Sequence, residues 1–263
     1  MEFCRYIKIL VVLAEGGKQA LPKHVELDAS PQPTLLRALT LLTGLGFLAT
    51  LYLGLFVAGT DIQQGEIQRI FYIHMPSFFG AFTAFGATVV GGMLYLARKQ
   101  AAWDRIALAG AEVGLAFALI NLLTGAVWAR PIWNTWWTWD PRLTSAAVMC
   151  LIYAAYLMLR AGIDDSNQKR NFMSVYGIFA FVSVLTTLFI IRIVPETIHP
   201  VIVGASPQNA QGSFEATSGV FMALAPSMLL WLTLMPATLI WHRYRLETRR
   251  EALERLKFQA LGD

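Results

Sequence analysis

Apolar residues along this chain gather into six long runs, Ala38–Ala58, Ser77–Ala97, Ile106–Trp128, Thr144–Ala161, Met173–Ile193 and Gly219–Trp241, with polar stretches between them. A helix needs about 20 mostly apolar residues to cross the hydrocarbon core of a bilayer. Each run meets or approaches that length, the fourth being the shortest. The stretches between them carry Pro, Gly, Asp and Asn, which suits backbone exposed to water. The pattern predicts an all-α integral membrane protein with six transmembrane helices. It divides the chain into an N-terminal extension at 1–36, a six-span membrane domain at 37–245 and a basic tail at 246–263. Within the extension only Ile9–Ala14 is apolar, too short for the hydrophobic region of a secretory signal. The extension is read as cytosolic.

Composition narrows the class further. An average soluble domain has about 25% charged residues; here 14% are charged and 56% hydrophobic, with mean hydropathy +0.52. A water-soluble globule could not coat itself with so little charge, and the same figures exclude disorder. The two cysteines, Cys4 and Cys150, lie far apart and belong to no C-x-x-C or zinc spacing, so no disulfide, metal cluster or covalent haem attachment is expected. No G-x-x-x-x-G-K-[ST] occurs, so any ATP hydrolysis belongs to a partner. The net charge is +4 and the pI about 9.2. In a membrane protein such a surplus sets topology rather than marking a nucleic-acid partner, and none is expected.

Of the 21 Lys and Arg residues, 17 fall in the N-terminal segment, the second and fourth connections and the C-terminal tail. The other four are Arg69, Arg130, Arg142 and Arg192. Basic residues concentrate on the cytoplasmic side, so both termini are expected to be cytoplasmic and connections one, three and five to face outward. This places His24 and His242 inside, and His74 and His199 outside. Five of the eight tryptophans (Trp128, Trp133, Trp136, Trp137 and Trp139) lie at or in the third connection. Interfacial anchoring would scatter Trp over both faces; this density predicts a local platform for a flat apolar ligand, since indoles offer rigid apolar area and one N–H donor.

The outer histidines each stand just before a proline, in Ile-His74-Met-Pro76 and Thr-Ile-His199-Pro200, where helix is disfavoured. Two imidazoles, one on each side of a haem iron, form a ligand set that the protein can tune. Haem also carries two propionates, which Arg can hold bidentately; Arg69, Arg130 and Arg142 are the candidates, with Arg192 ranked below the first two. Glu112, the one carboxylate well inside a span, lies in Gly110-x-x-x-Gly114, a pattern that permits close helix approach.

These residues together resemble a known family. Trp133-Asn-Thr-Trp-Trp-Thr-Trp-Asp140 resembles the tryptophan-rich WWD signature of haem-handling membrane proteins in cytochrome c maturation. Asp61-x-Gln-Gln-Gly65 followed by Arg69-Ile-x-Tyr-Ile-His74-x-Pro76 is similar to the first outer segment of the CcmC branch. The resemblance covers residues 38–245. It implies that haem b is held non-covalently at the outer face of the plasma membrane, with His74 and His199 as axial ligands. It implies a platform for haem or chaperone made of Trp133, Trp136, Trp137, Trp139 and Asp140. The implied role is binding and transfer without covalent catalysis. The implied partners are a CcmE-like haem chaperone, CcmA- and CcmB-like ABC transporter subunits, a CcmD-like small membrane subunit and membrane lipid. Asn134 stands where the family usually has Gly; Asn also tolerates left-handed backbone. The alternative within the family is the CcsA-like haem channel and synthetase, against which the lack of a mid-span histidine argues. A scaffold that binds no haem is the alternative from another class.

Overall fold

The computed structural model describes residues 32–194, 196–200, 208–212 and 217–262, with side chains as far as residue 256. The expectations for the extension, including Cys4 and His24, fall on residues 1–31, outside the described ones. Among the described residues seven α-helices follow in order: α1 Thr34–Tyr52, α2 Phe71–Arg98, α3 Ala101–Trp133, α4 Pro141–Gly162, α5 Ser166–Ile193, α6 Ser218–Leu229 and α7 Met235–Gly262. A π-helical turn, Leu53–Val57, prolongs α1, a 3-10 turn, Glu66–Ile70, leads into α2, and a second π-turn, Leu230–Leu234, joins α6 to α7. The described residues contain no strand beyond an isolated bridge between Asp61 and Gly65. Among the described residues six helical stretches are long and apolar enough to cross a membrane: Thr34–Val57, Glu66–Arg98, Ala101–Trp133, Pro141–Gly162, Ser166–Ile193 and Ser218–Leu256. The predicted six-span all-α class is the observed one.

The helices run further than the apolar runs that announced them. Hydropathy ends where the lipid ends, whereas helical hydrogen bonding continues into the polar layer. As a result His74 and Pro76 lie inside α2, not in the connection before it. Pro76 lacks the N–H that would have reached the Tyr72 carbonyl. That carbonyl instead accepts from Ser227 Oγ of α6 at 2.7 Å, so the helix continues without an orphaned acceptor. Pro131 likewise sits inside the last turn of α3, and Trp133 ends that helix rather than belonging to a loop. Asn134 then turns the chain with φ +55°, the left-handed backbone expected of it. Asp140, Asp165 and Thr217 cap the next three helices, each side chain accepting a backbone N–H of the first turn.

Residues Pro33–Tyr244 form one compact unit. In it α2 packs on α3 and α5, and α5 on α4. The α2–α3 contact is close because Gly110 has no side chain: a Cβ there would lie 2.5 Å from the Ala84 carbonyl oxygen. Phe85 and Tyr153 stack at the centre with ring centroids 3.6 Å apart. By contrast α1 buries only Leu36, Thr43 and Thr50 and turns Leu41, Leu45 and Leu48 outward, as a helix bathed in lipid would. Its Thr43 hydroxyl meets that of Thr238 at 3.0 Å, attaching the first span to the last. Ion pairs tie helices together inside the unit. Asp104 receives both terminal nitrogens of Arg160 at 2.8 and 2.6 Å and lies 3.5 Å from Arg170. Glu112, singled out in the sequence, faces Arg243 at 2.5 and 2.8 Å. In the second unit the far part of α7 carries an exposed Arg250–Glu254 pair.

Candidate functional site

Where α2, α3, α4 and α5 reach their ends beside the Trp-rich stretch, they enclose a cavity of about 470 Å³. That lies within the roughly 300–1,000 Å³ of small-molecule sites. Helical periodicity selects the residues that face it. From α2 come Phe71, His74, Met75 and Phe78, spaced i, i+3, i+4, i+7; from α3 come Asn121, Gly125 and Trp128, spaced i, i+4, i+7. Trp133, Trp137, Arg142, Phe189, Arg192 and His199 complete the wall. The lining is therefore apolar and aromatic, with two imidazoles and two guanidinium-bearing side chains set into it.

Each imidazole is fixed through Nδ1. In His74 it lies 3.0 Å from the Asn121 carbonyl oxygen and 3.2 Å from Thr124 Oγ1. A carbonyl only accepts, so Nδ1 carries the proton and Nε2 keeps its lone pair. Asn121 closes a second bond, Nδ2 donating to the His74 carbonyl at 2.7 Å. Gly125 makes room for the ring: a Cβ there would stand 2.9 Å from His74 Cε1. His199 repeats the arrangement, with Nδ1 donating to the Pro200 carbonyl at 2.7 Å. Burial foremost, then the charge of Arg142, pushes its pKa down to about 3. At neutral pH it is an uncharged imidazole with a free Nε2, the form that binds a metal. A ring nitrogen oriented by a carbonyl on the opposite nitrogen is the usual arrangement of a metal-binding histidine.

The tryptophans are tied to neighbouring connections. Trp128 Nε1 donates to Gln64 Oε1 at 2.8 Å, and Trp133 Nε1 to the Gln211 carbonyl at 3.4 Å. Trp133 also meets Trp128 and His199 edge-on, at centroid distances of 5.1 and 6.2 Å. Arg142 donates to the Thr187 carbonyl of α5 at 3.0 Å and lies over the Phe78 ring.

Of the residues singled out in the sequence, the fold gathers His74, His199, Trp128, Trp133, Trp137, Arg142 and Arg192 around one space. It sets the others elsewhere. Trp136 and Trp139 point outward, 59% and 82% exposed. Trp139 heads a separate apolar groove between α4 and α5. Arg69 pairs with Glu66 and donates to the carbonyls of Gly54 and Leu55. Arg130 donates to the Asn134 side chain at 2.6 Å and its carbonyl at 2.9 Å. Asp140 is buried behind the wall. Sequence reasoning missed Asn121 and Gly125, quoted Gln64 only as part of a motif, and ranked Arg192 below Arg69 and Arg130, although Arg192 lines the cavity and those two do not. An Asn within an apolar span was the one available signal.

Fold and cavity together define a polytopic membrane protein with a histidine-paired, tryptophan-walled chamber among its helix ends. The chain belongs to the CcmC family, heme exporter protein C, whose model matches residues 24–258. It is 31% identical over 204 residues to heme exporter protein C of Paracoccus denitrificans, spanning 76% of this chain and 81% of that protein. It is also 31% identical over 226 residues to the Haemophilus influenzae protein of the same name, spanning 80% and 82%. A putative cytochrome c biosynthesis ccmC-like mitochondrial protein of Arabidopsis thaliana is 40% identical over 107 residues, 41% of this chain and 42% of that protein.

Proposed function

We propose that the chamber holds haem b non-covalently between His74 and His199 and that the protein passes it to a CcmE-like haem chaperone during maturation of c-type cytochromes. One observation carries this reading: two imidazoles with free Nε2 atoms line the same aromatic cavity. The donor set suits a low-spin haem iron. Phe78, Trp128, Trp133 and Trp137 offer flat apolar area to a porphyrin, and Arg142 and Arg192 offer cationic groups to its propionates. The residues bind, orient and exclude water; no side chain is asked to form a covalent intermediate. CcmA- and CcmB-like transporter subunits and a CcmD-like small subunit are the proposed companions in the membrane.

The charge distribution supports an orientation with the chamber on the outer side of the plasma membrane and both termini inside. A reporter active only outside the cytoplasm should work when fused after Gly65 and be silent after Asp164. The reverse pattern would invert the orientation and put the chamber on the inner face. For the function itself, purified protein in detergent should bind added haem with a low-spin, two-imidazole spectrum. It should release that haem to the purified chaperone. A protein that gives no haem spectrum at saturating haem would support the scaffold reading instead.

A further inference from the structure

The acidic residue that closes the Trp-rich stretch touches neither the cavity nor the outside. Asp140 is 8% exposed and does not line the chamber. One carboxylate oxygen, Oδ1, caps α4 by accepting the Arg142 N–H at 2.8 Å. A cap needs no more than that, yet the second oxygen is fully used. Oδ2 accepts from Thr197 Oγ1 at 2.7 Å and from the Ile198 N–H at 2.8 Å. Thr197 is completely buried, and its Oγ1 in turn accepts the His199 N–H at 3.1 Å.

These bonds matter because the stretch Glu196–Pro200 has no helix or strand to hold it. Besides Asp140, the backbone tie to another segment among the described residues is the Gln211 N–H donating to the Ile198 carbonyl at 2.9 Å. His74 needs no comparable device, since a helix carries it and Asn121 of the neighbouring helix holds it at two points.

We infer that Asp140 is a positioning residue for His199: its carboxylate binds the backbone and hydroxyl on either side of residue 198 and so aims the second imidazole into the chamber. This rests on the proposed haem site. It gives the acidic position a role different from contact with haem or chaperone, and it makes the effect one-sided, acting on one ligand and not the other.

Asp140→Ser keeps a side-chain oxygen for the helix cap but is too short to reach Thr197 and Ile198. Thr197→Val removes the hydroxyl at nearly constant size and leaves α4 untouched. Each variant is purified, loaded with haem and read by its optical and electron paramagnetic resonance spectra. Wild-type protein and His199→Ala run alongside. Asp140→Ser should bind haem about 10–100-fold more weakly, the usual range for losing a group that orients a metal ligand. Its spectrum should move toward the high-spin form seen in His199→Ala, and added imidazole should restore low spin. Thr197→Val should move the same way to a lesser degree. In a His199→Ala background, Asp140→Ser should add no further spectral change, because the ligand it aims is already gone. A merely structural acid would instead add its effect in both backgrounds. Wild-type spectra from Asp140→Ser, or from Thr197→Val should the first variant not fold, overturn the inference while leaving the haem site standing. A wild-type protein without a two-imidazole spectrum overturns the haem site itself.

Discussion

His74→Ala should lose the low-spin haem spectrum and most of the haem affinity, because it deletes an imidazole that one face of α3 both anchors and makes room for. Asn121 and Thr124 meet its Nδ1, and Gly125 leaves the space its ring occupies. The loss should exceed the roughly 10–100-fold expected for a group that only orients a ligand. The vacated volume opens onto an existing chamber, so added imidazole should enter and bring back part of the low-spin signal. His242→Ala is the control. That histidine meets Thr40 Oγ1 at 2.7 Å, on the span that follows the chamber by some 40 residues, and contributes nothing to the cavity wall. Titration of haem into the purified variants, followed by absorption, gives both numbers. A His74→Ala protein with wild-type affinity and spectrum would remove the central element of the proposed site.

Asp104→Ala should unfold the membrane domain more readily than any change on its surface. Asp104 is 1% exposed, and it takes two hydrogen bonds from Arg160 with Arg170 close by. Removing the carboxylate takes away a buried acid that ties two partly buried guanidinium groups, 11% and 18% exposed, to α3. Breaking a buried pair from one side costs about 3–5 kcal/mol. In the exposed Arg250–Glu254 pair, Glu254→Ala should change stability by only about 0.3–0.5 kcal/mol. Thermal unfolding in detergent should therefore show a clear fall in Tm for the first variant and almost none for the second. Equal Tm values would mean that Asp104 is solvated or replaced by another acid.

The two results probe different ends of what the sequence reveals. The six spans were legible because lipid selects residues by composition alone, and composition survives errors of register. The Trp-rich stretch and the paired histidines were legible because rare residue types concentrate there. What a sequence of apolar runs conceals is azimuth. Arg130 and Trp128 are two residues apart on α3, about 200° around the helix, and only Trp128 faces the chamber. Asn121 and Gly125 lie on the same stripe as Trp128, but nothing marks a stripe when every face of the helix is apolar. Arg69 was drawn into its own connection by Glu66 and the Gly54 and Leu55 carbonyls. The π-turn that exposes those carbonyls has no sequence signature. Helix ends were misjudged for a simpler reason. Pro76 reads as a stop, and only the Ser227 hydroxyl, 151 positions away in sequence, makes it passable.

Both imidazoles in the chamber donate to peptide carbonyls, those of Asn121 and Pro200, and among the described residues neither faces a carboxylate across its Nδ1. A neutral acceptor draws less on the ring proton than an anion does, so the opposite nitrogen is a less basic donor to a metal. In the proposed haem site such ligands would orient the iron while holding it less tightly than carboxylate-backed imidazoles, so the peptide carbonyls behind the two rings favour release as well as capture.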